Sequence, residues 1–199
     1  MAASAWDGLP ADAPPGTSER YTAALTLAAM ALRASRSTAL VIRAGYAAEG
    51  LAGVRRLFEA AGHAQRVADD PSGQYADNWL RGRGNADKSR TAFGQQENDP
   101  LWKLMSGQAH ATFGVYAHLS ATFDGRRLVH SVGPRREAFW DSIWLWLVAR
   151  QLARVLAALL TVHPHIDTAD FLDVGTRLIA AEKRIEAELA ERQAGANGS

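Results

Sequence analysis

The 199-residue chain contains no cysteine, which excludes a disulfide framework, a thiolate zinc site and a cysteine nucleophile together. Isoleucine and valine number only 15 between them, against 39 alanines and 21 leucines. The apolar content therefore comes from strong helix formers, and an extensive sheet is not expected. Lysine is scarce: 3 lysines stand beside 19 arginines, yet the net charge is only +1, which excludes a generally basic, polyanion-seeking protein. Several motifs are missing as well. There is no phosphate-cradling glycine loop with its lysine, no dinucleotide turn, no Gly-x-Ser-x-Gly and no His-Glu-x-x-His. The paired Glu-x-x-His motifs of a di-iron bundle are absent too, since Glu59 and His63 stand four apart and occur once. His163-Pro164-His165 has no third ligand nearby and reads as a loop. No cofactor and no metal is expected.

A chain of this length buries roughly 70% of its unfolded surface, enough for one core. Residues 1–17 carry Pro10, Pro14 and Pro15 without a lysine or arginine, so they read as a loose arm and not as a targeting segment; 194–199 read as a flexible tail. The expected domain is 18–193, cytoplasmic.

Thr17 and Ser18 ahead of Glu19 open a long helix, which Gly45 and Gly50 are expected to break or kink. A second helix spans about 51–68. Leu51, Val54, Leu57, Phe58, Ala61, Ala64 and Ala68 fall in one arc, with Arg55, Arg56, Glu59, His63 and Arg66 in the opposite, solvent-facing one. Residues 69–100 are polar, with one short helix around 74–80 carrying Tyr75 and Trp79. Asp99-Pro100 starts another helix, whose apolar face includes Leu101, Leu104, Phe113 and Tyr116. Asp124-Gly125, between short apolar runs, predicts a small β-hairpin. From Arg135 to Val162 runs the most hydrophobic helix. Asp141, Arg150 and Arg154 within it argue for a bundle helix over a membrane span, enclosed on most sides, with Arg150, Arg154 and Thr161 on its one polar stripe. Trp140, Trp144 and Trp146 crowd its first turns and suit core or dimer packing. A last helix, about 169–193, turns Glu182, Lys183, Arg184, Glu186 and Glu188 outward. The expectation is an all-α fold, a bundle of five or six helices with a small β-hairpin insertion.

Charge is uneven: +5 between residues 81 and 136, and −3 after 164. Arg81, Arg83, Lys88, Arg90, Arg126, Arg127, Arg135 and Arg136 form either a patch for RNA or an acidic protein, or ordinary solubilising loop charge.

Two constellations carry chemistry. Arg56, Glu59 and His63 stand at i, i+3 and i+7 of the second helix, a cation, a carboxylate and an imidazole on one side. The spacing Arg56-x6-His63 resembles the Arg-x(4–6)-His pattern of HEPN ribonucleases, although Leu57 stands where that superfamily carries a polar residue. The resemblance implies metal-independent RNA cleavage. The second constellation is Trp102-x-Leu104-Met105-Ser106-x-x-x-His110, in which Ser106 and His110 lie one helical turn apart. Taken with Arg55-x-x-x-Glu59, it resembles an uncharacterised bacterial helical-bundle family marked by an Arg-x-x-x-Glu helix and an aromatic-x-x-Leu-Ser-x-x-x-His element, with Met105 in place of the leucine. That resemblance spans about residues 25–162 and implies that Arg55, Glu59, Ser106 and His110 meet between two helices. Such a cluster either fixes helix register or forms a site where His110 works as acid and base. A serine hydrolase is not expected, because Ser106 and His110 on one helix leave no oxyanion hole. The sequence thus predicts a homodimeric bundle working through protein contacts in bacterial defence or stress, with a HEPN-like ribonuclease as the alternative.

Overall fold

The computed structural model describes residues 16–83, 121–123, 128–130, 134, 138–163, and those from 176 to 191 other than 178, 179, 182, 186 and 189. The fold is all-α. Three long helices, α1 (Thr17–Arg43), α2 (Ala47–Asp69) and α4 (Ala138–Val162), pack pairwise on one another, and the short α3 (Gln74–Leu80) lies against α1 and α2.

α1 begins without a side-chain cap: neither Thr17 nor Ser18 plays that part, and Gly16 (φ 82°) occupies the cap position. It ends where glycine allows it. Gly45, at φ 90°, donates from its N–H to Ile42 O at 2.9 Å, and Tyr46 N–H donates to Val41 O at 3.1 Å. This pair of bonds is the Schellman termination, which needs a left-handed residue after the cap. The same device ends α3 at Gly82, with Gly82 N–H to Trp79 O at 2.9 Å and Arg83 N–H to Asn78 O at 2.8 Å.

Gly50 does not break the chain, contrary to the expectation. It lies in the first turns of α2, where a Cβ would stand 2.5 Å from Ile42 Cγ1. Its bare backbone serves close helix approach, so α2 starts at Ala47 and not near Leu51. One turn on, a Cβ at Gly53 would stand 2.0 Å from Thr38 Oγ1, so side chains of α1 pack directly on the bare backbone of α2.

Leu51, Val54, Leu57, Phe58, Ala61, Ala64 and Ala68 are all buried, and α1 supplies Leu27, Ala28, Ala31 and Ile42 to the same core. α4 adds Trp144, Leu147, Val148, Val155, Ala158 and Leu159. The expectation for α4 needs revision: its buried stripe includes the polar Gln151, while Leu145, Trp146, Leu152 and Leu156 are half-buried. Arg154 Nη1 donates to Gln151 Oε1 at 3.3 Å, and the Arg150 guanidinium sits 5.0 Å from the Trp146 ring centroid. A single charged stripe thus serves two purposes, satisfying a buried amide and covering an indole. The edge contact of Tyr21 with His163 puts the end of α4 beside the start of α1, so these helices run antiparallel.

Ala121–Phe123 and Leu128–His130 pair antiparallel, with Thr122 opposite Val129. Asp124-Gly125 and the helix expected after Pro100 lie outside the described residues. The described residues from 176 to 191 are helical, with Lys183, Arg184 and Glu188 exposed as their charge requires.

Candidate functional site

The polar side of α2 is not the open solvent face that its periodicity suggests. Arg55, Glu59, His63 and Arg66 form a row at i, i+4, i+8 and i+11, and all four are half-buried; of the five polar residues only Arg56 is exposed. Arg55 Nε donates to Glu59 Oε1 at 3.1 Å, with the two side chains 19% and 28% exposed. The carboxylate therefore pairs with Arg55 and not with Arg56, and no hydrogen bond joins Arg56 to His63. Of the expected Arg56–Glu59–His63 grouping, Glu59 acts on the charge of His63, while Arg56 is bonded to neither. Ser106 and His110 lie outside the described residues.

His63 instead belongs to the α2–α3 junction. Its Nδ1 stands 2.8 Å from the Tyr75 hydroxyl, and the Tyr75 and Trp79 rings each lie 6.2 Å from the imidazole. Tyr75 and Trp79 are one turn apart, so a single face of α3 presents both to His63. The i, i+4 aromatic pair is visible in the sequence, but the residue it covers is not.

Burial lowers the His63 pKa from its ordinary 6.5, against an opposing pull from Glu59, and burial raises that of Tyr75, against Arg66. At neutral pH the pair is a neutral imidazole and a protonated phenol sharing one hydrogen bond. A neutral imidazole beside a phenol and a carboxylate is competent for proton transfer.

The turn that sets α3 in place is built by Asp70 and Arg20. Asp70 Oδ2 accepts from Tyr75 N–H at 2.7 Å, and Oδ1 accepts from the Ser72 N–H at 3.0 Å and from the Ser72 hydroxyl at 2.5 Å. The Ser72 hydroxyl bond, the backbone N–H bonds and the nearby Arg20 hold the Asp70 carboxyl below its ordinary value. Arg20 donates from Nε to Val67 O at 3.2 Å and from Nη2 to Ala68 O at 2.9 Å, so a guanidinium closes the negative end of α2.

Stability should fall as the solution is acidified below pH 6.5. In that range the unfolded chain binds a proton at His63 that the folded chain refuses, and the loss levels off below the lowered folded pKa. A second loss should follow below about pH 3.8, as the Asp70 carboxylate protonates through its depressed pKa. Urea midpoints measured across pH in the wild type and in His63→Gln check this: the upper step should be smaller in the variant, and an unchanged step would assign it to another group.

Among the described residues no three of His, Asp and Glu are placed to hold a metal ion. Of the basic cluster, Arg81 and Arg83 are described and exposed, and Arg81 Nε pairs with Asp77 Oδ1 at 2.8 Å. No family model, curated protein or solved structure matches the chain.

Proposed function

We propose that this chain is a cytoplasmic bundle of five or six helices, with a small hairpin insertion closing at Asp124-Gly125, that works through protein contacts as a homodimer in a bacterial defence or stress setting. The observation that carries the reading is at the start of α4. Trp140 is 45% exposed and stacks on the buried Trp144 with ring centroids 6.4 Å apart. An indole held rigidly by a core residue and left half in water is an anchor for another protein surface. The polar row agrees with a structural part for Arg55, Glu59 and His63, since Arg55 and Glu59 bind each other and His63 binds Tyr75.

Sedimentation of the wild type should show a dimer, and Trp140→Ser should weaken it by at least roughly thirtyfold, the scale of an interface hot spot. A wild type that is monomeric at every concentration would overturn the reading. The RNA assay separates the alternative. No RNA should be cleaved in EDTA, whereas cleavage that disappears in His63→Ala or His110→Ala would put a HEPN-like, metal-independent ribonuclease in its place.

A further inference from the structure

We propose that the outer face of α1 docks on an anionic bilayer surface. From Arg20 to Ala48 the chain runs 29 residues without a carboxylate and carries four arginines. Three of these, Arg33, Arg36 and Arg43, are exposed, and the leucines among them are exposed as well: Leu32 by 50% and Leu40 by 60%. At about 100° per residue, Leu32, Arg33, Arg36, Leu40 and Arg43 fall within one stripe about 100° wide. Met30, 53% exposed, borders it, and the half-exposed Tyr46 follows the end of the helix.

α1 is long and apolar enough by composition to cross a membrane, yet only 33% of that stretch is buried in the fold. Its inner face packs on α2 and α4 and its outer face exposes three arginines, each costly in the middle of a bilayer, which opposes spanning. It can lie along one, burying leucine side chains at the acyl boundary while guanidinium groups reach the headgroups. A helix of 27 residues presents about 40 Å for that contact.

Charge also bears on the other occupants. Pairing the stripe with itself in a second copy sets guanidinium against guanidinium, because the flanking carboxylates, Glu19 and Glu49, stand outside it. An acidic protein would satisfy the arginines, but arginines interleaved with leucines, and not rimming them, suit a surface in which charge and hydrocarbon lie at different depths.

The test is flotation of the full chain with vesicles of phosphatidylcholine alone and of phosphatidylcholine with phosphatidylglycerol, at low and high salt. Binding should require phosphatidylglycerol and weaken with salt. Arg33→Gln with Arg36→Gln should reduce it on the order of thirtyfold, about fivefold per arginine. Leu32→Ser with Leu40→Ser should also reduce it, while circular dichroism stays unchanged because all four positions are exposed. Failure to bind anionic vesicles, or binding indifferent to these substitutions, would overturn the proposal. So would self-association that depends on the same residues without vesicle binding. Trp140→Ser should leave vesicle binding intact, which separates this surface from the dimer contact.

Discussion

Gly53→Ala should destabilise the bundle by about 1–3 kcal/mol, although alanine is the better helix former by roughly 1 kcal/mol. The reason is the distance across the α1–α2 seam. A Cβ at residue 53 would stand 2.0 Å from Thr38 Oγ1, 2.9 Å from its Cβ and 3.0 Å from its Cγ2. Rotating the threonine moves the hydroxyl but leaves its Cβ where it is, so the helices must separate. Thr38 is 4% exposed, and Ile42, Val54 and Leu57 belong to the buried core that the two helices share, so separation opens gaps in a close-packed interior. Urea denaturation should show a lower midpoint with an unchanged slope. A double-mutant cycle isolates the cause. In a Thr38→Ala background the 2.0 Å and 3.0 Å approaches vanish and only the 2.9 Å approach to Cβ remains, so Gly53→Ala should become less harmful by about 1 kcal/mol. Additive effects would place the penalty elsewhere than at Thr38.

The Gly50 and Gly53 positions also mark where sequence reasoning reached its limit. Helix period and composition identify α1, the inner arc of α2 and the hydrophobic α4, because each pattern is repeated over several turns, while the short α3 at residues 74–80 stands out only as an aromatic-bearing stretch in a polar, glycine-bearing segment. A glycine carries no such redundancy. Gly45 terminates a helix and Gly50 lies inside one, and what separates them is whether another helix passes close by, which is a tertiary fact. The polar side of α2 fails for a related reason. Periodicity divides a helix into an apolar half and the remainder, and it assigns the remainder to water. Here Tyr75 and Trp79 of α3 cover His63, and Arg55, Glu59 and Arg66 in the same row are half-buried too. The candidate residues were identifiable by type, but their partners were not: Glu59 chooses Arg55 over Arg56 because i, i+4 geometry and partial burial favour that pair. Nothing in the sequence marks Arg20 and Asp70, because their partners are chiefly backbone groups, which a sequence does not distinguish.

Gly73→Val should remove α3 from its seat, at a cost of about 2–4 kcal/mol, and change the chemistry of His63 with it. Two penalties coincide. Gly73 has φ 74°, a left-handed conformation in which a β-branched residue is strained. Its Cβ would also stand 2.5 Å from Gly16 O and 2.7 Å from Gly16 Cα, backbone atoms that cannot rotate aside. Gly16 cannot yield either, since it has φ 82° and its own Cβ position lies 2.2 Å from Ser72 O. The start of α1 and the turn before α3 must part. The cost is capped by what α3 gains from docking: the Asp70 bond to Tyr75 N–H, the His63 bond to Tyr75 and the burial of Ala76. Amides 74–80 should therefore lose hydrogen-exchange protection in the variant, while those of the inner arc of α2 keep most of theirs. With Tyr75 and Trp79 withdrawn, the burial that lowers the His63 pKa is relieved and the pull of Glu59 remains, so the imidazole titration followed by NMR should rise to 6.5 or above. A His63 pKa that stays low after α3 has lost its protection would mean that another part of the chain covers this histidine.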